Sequence, residues 1–307
     1  MPCIIVVMTR NASATPLHDL ARTHLPAEAA ARWTGLLRPG ATLEKAEAGE
    51  PVAGRLGGLP LLPQGVEWPV WEGHGPLSFV ASVDCAALPA GELDIPLPAD
   101  GTLAFFYFDG QIDSGDAFVD FADPECRPGA RVIHIPAGVP VAERPLPLYE
   151  CDHGEDGDDC EDCEQLEAYP EVPLTVRVEA TAPDIWHPVV REAFGSDDSS
   201  LEGWPEEFTD ALYDRKPGPG HQVGGHAHPV QNPLEYEIAH AALGQDVRWD
   251  DPRVAEDAGN WVLLAQFDTD GDADMMWGDC GALYWLIRPA DLAALRFDRA
   301  MFTMQCC

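Results

Sequence analysis

The sequence predicts a mainly β, roll-like fold with peripheral helices (an α+β class), built from two related β units. Three observations predict this class. Short runs of β-branched and aromatic residues alternate with turns rich in Gly, Pro and Asp. The 29 prolines and 28 glycines among 307 residues favour short strands with irregular connections. A pattern of a glycine pair followed by an apolar strand also occurs twice.

Two short helices are expected at the start of the fold. Thr15-Pro16 supplies an N-cap followed by proline at the first helical position, which predicts a helix over 17–24. Pro26 begins a second predicted helix over 27–37, and Pro39-Gly40 closes it.

Period-two patterns then predict strands at 77–83, 102–108, 117–121 and 131–135. The second half of the chain predicts strands at 174–179, 261–267, 283–287 and 297–304. Its predicted helices cover 184–194, 205–213, 235–243 and, briefly, 290–295.

An internal echo suggests a duplication. Gly57-Gly58 precedes the strand that ends at Asp84, and Gly224-Gly225 precedes the strand that ends at Asp268. Chance similarity is the alternative, because glycine and proline are frequent in this chain. We therefore expect an N-terminal helical segment (1–48) and a single β domain (49–307). Its halves cover about 49–148 and 215–307, with an acidic, Cys-rich insertion at 150–167.

Charge excludes two classes of partner. The chain carries 53 Asp and Glu against 18 Lys and Arg, a formal net charge of −35. Such a surface repels phosphate, so we expect no binding to nucleic acid or to a membrane.

The start of the chain does not look like a targeting signal. Residues 1–8 lack the basic region of a signal peptide, and a start near Met8 is favoured. Nine cysteines without a secretion signal indicate reduced thiols, and a soluble, monomeric, cytoplasmic protein is expected.

The insertion contains the sharpest candidate for a metal site. Cys151 and His153 lie two residues apart, and Cys160 and Cys163 form a C-x-x-C pair. Three thiolates and one imidazole are typical of a closed, structural zinc site. The alternatives are a solvated acidic loop with incidental cysteines, or a loop that uses Cys126 as a substitute ligand.

Two further clusters are weaker. Asp268, Asp270 and Asp272 resemble a calcium loop, but Gly271 precedes the position that needs glycine and the last ligand position holds Asp279 where a glutamate is needed, so a tight polar turn is expected instead. His221, His226 and His228 form a cluster that could bind a metal, but they are expected to be loop histidines bonded to the backbone. No phosphate loop, nucleophile elbow or dinucleotide-binding glycine motif is found in the sequence.

Ordered motifs over about 50–125 and 215–307 carry a family resemblance. They are Gly57-Gly58-Leu59-Pro60, Leu77-Ser78-Phe79-Val80, His221-Gln222-Val223, Gln266-Phe267-Asp268 and Met276-Trp277-Gly278-Asp279. In these motifs the chain resembles the YwqG-like family of bacterial proteins of unknown function. The resemblance implies a roll-like β architecture but no established activity. It also suggests a ligand cleft lined by His221, Gln231, Trp277 and Asp279, although Trp277 could instead fill the core and Asp279 cap a turn.

Three functions remain open. The first is a non-enzymatic binding protein whose acidic surface takes a basic protein partner. Since proteins that resemble this family occur near toxin systems, an immunity-type inhibitor is one form of it. The alternatives are a small-ligand sensor and a metal-dependent hydrolase that uses a cleft near His221 and Asp279. The charge alone is also explained by solubility.

Overall fold

The fold is described from a computed structural model of the chain. The described residues are 15–89, 91–112, 115, 117–148, 165–195, 204–215 and 218–307. Their main element is one ten-stranded sheet in which every neighbouring pair is antiparallel. The predicted mainly β class is confirmed.

The strands are β1 (Arg38–Lys45), β2 (Gly54–Leu56), β3 (Leu61–Pro63), β4 (Val70–Trp71), β5 (Gly75–Pro76), β6 (Ser78–Asp84), β7 (Thr102–Tyr107), β8 (Ala130–Ile135), β9 (Val141–Glu143), β10 (Val172–Thr181), β11 (His221–Val223), β12 (Val262–Asp268), β13 (Ala282–Ile287) and β14 (Met301–Gln305). The α-helices are α1 (Thr15–His24), α2 (Ala27–Thr34), α3 (Pro188–Phe194), α4 (Glu206–Tyr213), α5 (Leu234–Leu243), α6 (Pro252–Ala258) and α7 (Pro289–Ala293). Short 3-10 helices cover Pro124–Gly129 and Phe297–Arg299.

The sheet order is β14-β13-β12-β11-β1-β10-β2-β6-β7-β8, with β3–β9 and β4–β5 as separate small pairs. On one side of the central β1–β10 pair, β11 to β14 follow in chain order. On the other side, β2, β6, β7 and β8 do the same. Each series is a short strand followed by three strands in a meander.

The sheet coils until its two ends share one core. Phe105 on β7 lies with its ring centroid 5.0 Å from Phe267 on β12 and 5.2 Å from Trp285 on β13. Tyr107, at the end of β7, stacks on Phe302 of β14 at 4.9 Å. Because strands from opposite ends of the order meet in this way, the sheet is barrel-like and nearly closed.

Two glycine pairs occupy corresponding places in the two series. Gly57 and Gly224 both have positive φ (57° and 65°), a conformation that favours glycine. The Gly57 amide donates to Val80 O (2.9 Å), and the Gly224 amide donates to Leu264 O (3.3 Å). Both acceptors lie where the strand register shifts, in β6 and in β12.

The helices cover the outside of the sheet in two groups. Helices α1, α2 and α4 bury a small core of their own, in which Trp33 meets Phe208 edge to face at 5.1 Å. Helices α5 and α6 pack on β12 to β14 through a second group that includes Ile238 and Leu286. Within the described ranges, no helix has the length and apolar character needed to cross a membrane.

Several predicted elements need correction. Residues 117–121 form no strand, because local turns use their backbone groups: Asp120 N donates to Phe118 O and Asp123 N to Asp120 O. Helix α2 ends at Thr34 rather than 37, since β1 begins at Arg38. The predicted helix over 184–194 begins only at Pro188.

At the end of the chain, the predicted strand over 297–304 opens with a 3-10 turn and becomes a strand at Met301. Strands β1 and β11 and helix α6 were not predicted at all.

Candidate functional site

Five neighbouring strands carry a continuous row of buried polar side chains on one face of the sheet. Residues directly opposite each other in antiparallel strands point to the same face. The register pairs run, strand by strand, through Thr42, Gln222, Gln266, Tyr284 and Thr303.

Segment 218–232 consists of β11 and the irregular chain on both sides of it, and the polar row holds these irregular flanks against the sheet. Its bonds are Gln222 Nε2 to the carbonyls of Gly224 (2.8 Å) and His226 (2.9 Å), Gln266 Nε2 to Pro219 O (2.6 Å), His228 N to Gln266 Oε1 (3.1 Å) and Tyr284 Oη to His228 O (2.9 Å). A loop that covers a sheet brings backbone groups that need partners. The row supplies them from side chains.

Gln305 on β14 also bonds to the backbone of segment 218–232. Its Oε1 accepts from the amides of Val230 and Gln231, both at 3.0 Å. Its Nε2 donates to Asn232 O and to Glu237 Oε1, both at 2.8 Å. The amide therefore uses two acceptor and two donor positions, which is its full capacity.

Glycines let the segment approach the sheet closely. A Cβ at Gly225, whose φ is +69°, would lie 2.6 Å from Thr181 Oγ1 and 2.9 Å from Gly40 Cα. A Cβ at Gly40 would lie 2.7 Å from Thr181 Cγ2. Neither position has room for a side chain, so backbone passes over backbone here.

Beside this contact lies a cavity of about 180 Å³, between the sheet, segment 218–232 and α4. Its polar lining includes Thr42, Thr181, Asp184, Tyr213, Gln222 and His226, with Glu179 and Arg215 at exposed positions. The cavity is thus built from β1, β10, β11 and the end of α4, which are far apart in the sequence.

Two buried polar atoms of the lining, Thr42 Oγ1 and His226 Nδ1, have no hydrogen-bond partner among the described residues. Thr42 is 8% exposed and His226 3%. His226 Nε2 lies 2.7 Å from the carbonyl of Leu36, so this nitrogen carries the hydrogen and Nδ1 keeps a lone pair. Burial, with the neighbouring His187, lowers the pKa of His226 well below its ordinary value.

Asp184 adds a carboxylate to the wall. Its Oδ1 accepts from the Trp186 amide (2.8 Å), and its Oδ2 accepts from the Tyr213 hydroxyl (2.9 Å). Burial raises the pKa of Asp184, while these two hydrogen bonds and His187 oppose the increase.

Behind the cavity, His187 joins a second buried carboxylate. The Val189 amide donates to His187 Nδ1 (3.2 Å), so Nε2 carries the hydrogen and donates to Glu235 Oε1 (3.1 Å). Burial favours a higher pKa for Glu235, but His187 and Arg38 outweigh it and lower the pKa. The His187 ring also meets the His226 ring edge to face at 4.8 Å.

A second concavity, the aromatic groove, is an open depression of about 570 Å³. It is lined by Phe121, Trp186, Arg191, Gln231, Asn232, Pro233, Tyr236, Glu237 and Trp249. Trp186 is 41% exposed and Trp249 55%. The Arg191 guanidinium lies 5.8 Å from the centre of the Tyr236 ring.

Glu237 links this groove to the polar row. Its Oε2 accepts from Thr303 Oγ1 at 3.0 Å, and its Oε1 accepts from Gln305. Burial raises the pKa of Glu237 to about 7, because the two hydrogen bonds offset only part of the desolvation.

The four predicted cleft residues fall into two pairs. His221 Nδ1 accepts from the Asp268 amide (3.1 Å), and Trp277 Nε1 donates to the carbonyl of the same residue (3.1 Å). Gln231 Nε2 donates to Cys306 O, and Asp279 O accepts from the Cys307 amide (3.3 Å). Of these four described residues, Gln231 alone lines the aromatic groove, and none lines the cavity beside Thr42.

Trp277 is 1% exposed and meets the rings of Tyr107 and Tyr169 edge to face. The side chain of Asp279 is exposed.

The other sequence clusters are placed as follows. His226 and His228 bond to the carbonyls of Leu36 and Gly218, which confirms the prediction of backbone-bonded histidines for these two residues. His221 differs, because it lies in strand β11 and its ring bonds to the Asp268 amide and to the Asp270 carboxylate. The aspartate run forms a tight turn in which Asp270 Oδ1 accepts from the amides of Asp272 (2.9 Å) and Ala273 (2.8 Å). That turn was predicted as well.

The proposed zinc ligands Cys151, His153, Cys160 and Cys163 lie outside the described residues. Within the part of the chain that is described, no three His, Cys, Asp or Glu side chains are grouped to hold a metal ion.

Sequence reasoning missed Thr42, Asp184 and Tyr213. Asp184 was read as part of a helix, and Thr42 lay in a segment with no recognisable pattern. The Asp-Ile-Trp-His-Pro run at 184–188 is the one available signal, since an Asp four residues before a proline-started helix is typical of a turn.

A family comparison fits this architecture. Residues 54–306 match the family described as Domain of unknown function (DUF1963), so the chain belongs to that family. The match begins at the first residue of β2 and ends just after β14. None of the curated proteins matches the chain.

Proposed function

We propose that this protein is a non-enzymatic binding protein that holds a small molecule in the cavity beside Thr42 and His226. The observation that carries the proposal is that two residues of the cavity lining each have a buried polar atom without a partner, Thr42 Oγ1 and His226 Nδ1. Leaving one such group without a partner costs about 1–3 kcal/mol. A ligand that bonds to both atoms offsets that cost.

The state of His226 favours binding over catalysis. A general base works best when its pKa lies near the operating pH. The pKa of His226 is held well below its ordinary value, so Nδ1 accepts a hydrogen bond but has little tendency to take a proton at neutral pH. This chemistry suits a recognition site better than a hydrolase.

The test uses ligand-observed NMR with a mixed set of small fragments. Thr42→Leu fills the cavity, and Thr42→Val removes the hydroxyl while keeping the shape. We expect fragments that bind the wild type to be lost with Thr42→Leu and weakened with Thr42→Val. Thr175→Val is the matched control, because Thr175 is buried on β10 away from the lining. Equal fragment binding by a folded Thr42→Leu variant would rule out this site.

A second candidate function is docking of a basic protein segment in the aromatic groove. Trp186 and Trp249 expose large rings there, and Trp, Tyr and Arg are the side chains that dominate protein interfaces. The net charge of −35 favours a cationic partner. A cytoplasmic monomer remains our proposal for the free protein.

An oligo-arginine peptide, with oligo-glutamate as its counterpart, tests the docking groove. We expect the basic peptide to bind at low salt and to lose most of that binding with the double variant Trp186→Ala/Trp249→Ala. Because the variant leaves the net charge unchanged, undiminished binding would mean that charge alone attracts the peptide.

The internal duplication is also part of this proposal, as is kinship with the YwqG-like proteins. Three features support a duplication: the matching strand series, the positive-φ glycines, and the glycine amides that bond to the shifted residues of β6 and β12. Superposing Gly57 on Gly224 and Val80 on Leu264 tests it. Strands that diverge in that alignment would reject common descent.

Zinc binding by Cys151, His153, Cys160 and Cys163 is proposed on sequence spacing alone. Elemental analysis of the purified protein and of Cys160→Ser/Cys163→Ser tests the assignment. We expect one zinc per chain that the double variant loses, and the same zinc content in both proteins would refute it.

A further inference from the structure

We propose that the ligand of the cavity beside Thr42 and His226 is a small organic cation with an ammonium or guanidinium head group. The inference rests on the proposed function, since it names the chemical class that this cavity recognises. It follows from which hydrogen-bonding positions of the wall are used and which remain.

The donors of the wall are largely committed. Gln222 Nε2 donates to the Gly224 and His226 carbonyls, and the Thr181 hydroxyl donates to Arg38 O (2.8 Å). The Tyr213 hydroxyl donates to Asp184. The Thr42 hydroxyl has no partner among the described residues and can donate or accept, so a ligand that offers only acceptors meets few available side-chain donors in this wall.

Several hydrogen-bond acceptors of the wall still have unused lone pairs. His226 Nδ1 can only accept, because its Nε2 hydrogen is directed to the Leu36 carbonyl. Asp184 is a carboxylate whose oxygens have further lone pairs beyond those used by Trp186 and Tyr213. Glu179 adds a second carboxylate at an exposed position of the lining. An N–H-rich head group matches this set, and a charged donor makes the stronger bonds.

Electrostatics point the same way. The protein carries a net charge of −35, so its average field favours cations over anions. Arg215 is the one Arg or Lys of the described lining, and its side chain is exposed, where solvent and salt screen it. A cavity of about 180 Å³ has room for the head group and a short carbon chain.

The experiment compares three probes of equal length: butylammonium, butanol and butyrate. Binding is followed by ligand-observed NMR at low and moderate salt. We expect butylammonium to bind best and to weaken as salt is raised. Asp184→Asn removes the charge and keeps one oxygen that accepts from the Trp186 amide, while its NH₂ group faces the Tyr213 hydroxyl, which can turn to accept from it. This variant should weaken butylammonium binding roughly tenfold.

Two variants make the result specific. Asp210→Asn removes one exposed carboxylate on the same helix as Tyr213, outside the lining, and should leave the affinity unchanged. Glu179→Gln removes a second carboxylate charge from the wall. Because Glu179 is exposed on its strand, this substitution should have little effect on folding.

The outcomes separate the two proposals. Binding of butanol or butyrate in place of butylammonium overturns the cation class and leaves the small-ligand function standing. Equal loss with Asp184→Asn and Asp210→Asn also overturns it, because the effect would then be general charge attraction. If none of the three probes binds, the cation class fails. If no member of the wider fragment set binds either, the proposed function fails with it.

Discussion

His221 Nε2 lies 3.2 Å from Oδ2 of Asp270, across the junction between β11 and the turn that follows β12. The Asp268 amide donates to Nδ1 of the same ring, so Nε2 carries the hydrogen and donates to Asp270. This bond is the main reason why the pKa of Asp270 falls to about 2; the Ala273 and Asp272 amides assist, and partial burial opposes.

Asp270→Asn is expected to destabilise the protein by about 1 kcal/mol at pH 7. The asparagine cannot accept both from the turn amides and from His221 without directing its NH₂ group at a donor. Since the pKa of Asp270 is depressed on folding, its contribution is present above about pH 4 and lost as the pH falls towards 2. Urea unfolding of the wild type and the variant at pH 7 and near pH 2 gives the difference in unfolding free energy, which should be present at pH 7 and largely lost near pH 2. Asp274→Asn, an exposed residue of the same turn with φ 53°, is the control and should change little.

Glu237→Gln is expected to change how stability depends on pH. Because its folded pKa of about 7 lies above the ordinary value of 4.5, the folded state binds more protons between these values. Stability from this group therefore falls as the pH rises from about 4.5 to 7. The neutral glutamine avoids this loss, so the variant should gain on the order of 2 kcal/mol relative to wild type between pH 5 and pH 8. Thermal unfolding across this range checks it.

The exposed carboxylate variant Glu192→Gln controls for the loss of one charge. If it reproduces the pH dependence of Glu237→Gln, burial of Glu237 is not the cause.

Gln305→Leu is expected to cost about 3 kcal/mol of unfolding free energy. The leucine leaves the amides of Val230 and Gln231 without their acceptor and removes one donor to Glu237. Denaturant unfolding gives the loss, and the exposed Gln245→Leu serves as the matched control. A change below about 1 kcal/mol would mean that segment 218–232 does not depend on this side chain.

Gly225→Ala is expected to lift segment 218–232 from the sheet. Its φ of +69° and the closeness of Thr181 Oγ1 and Gly40 Cα penalise a Cβ twice. We expect a loss of about 2–4 kcal/mol, against about 1 kcal/mol for Gly138→Ala, which has a similar φ (+76°) but open space around it. If both variants lose the same unfolding free energy, the positive φ alone explains the loss and the close contacts of Gly225 contribute nothing. Thermal or denaturant unfolding of both variants decides between the two.

The sequence predicted elements whose pattern is local. Strand β6 and helix α5 were placed within a residue or two, because their apolar positions and flanking prolines are visible along the chain. Strand β1 was missed: Arg38-Pro39-Gly40 looks like the end of a helix, and the reason for Gly40 is Thr181, which is distant in sequence.

The candidate site was less predictable for the same reason. His226 was noticed as a histidine, but its bare Nδ1 depends on Leu36 accepting at the other nitrogen. Thr42 becomes notable only once β11 places Gln222 beside it. Such features come from long-range pairing, which composition and spacing do not report.

The places of β1 and β10 in the strand order make the two parts of the chain depend on each other. Strand β1 comes from the first half but lies between β10 and β11, and β10 lies between β1 and β2. Their ladder joins eight residue pairs, from Arg38 with Thr181 to Lys45 with Leu174. If a protease cut the backbone between 148 and 165, each fragment would still hold a strand that completes the other. The halves are reciprocal parts of one body, and neither is a smaller protein in its own right.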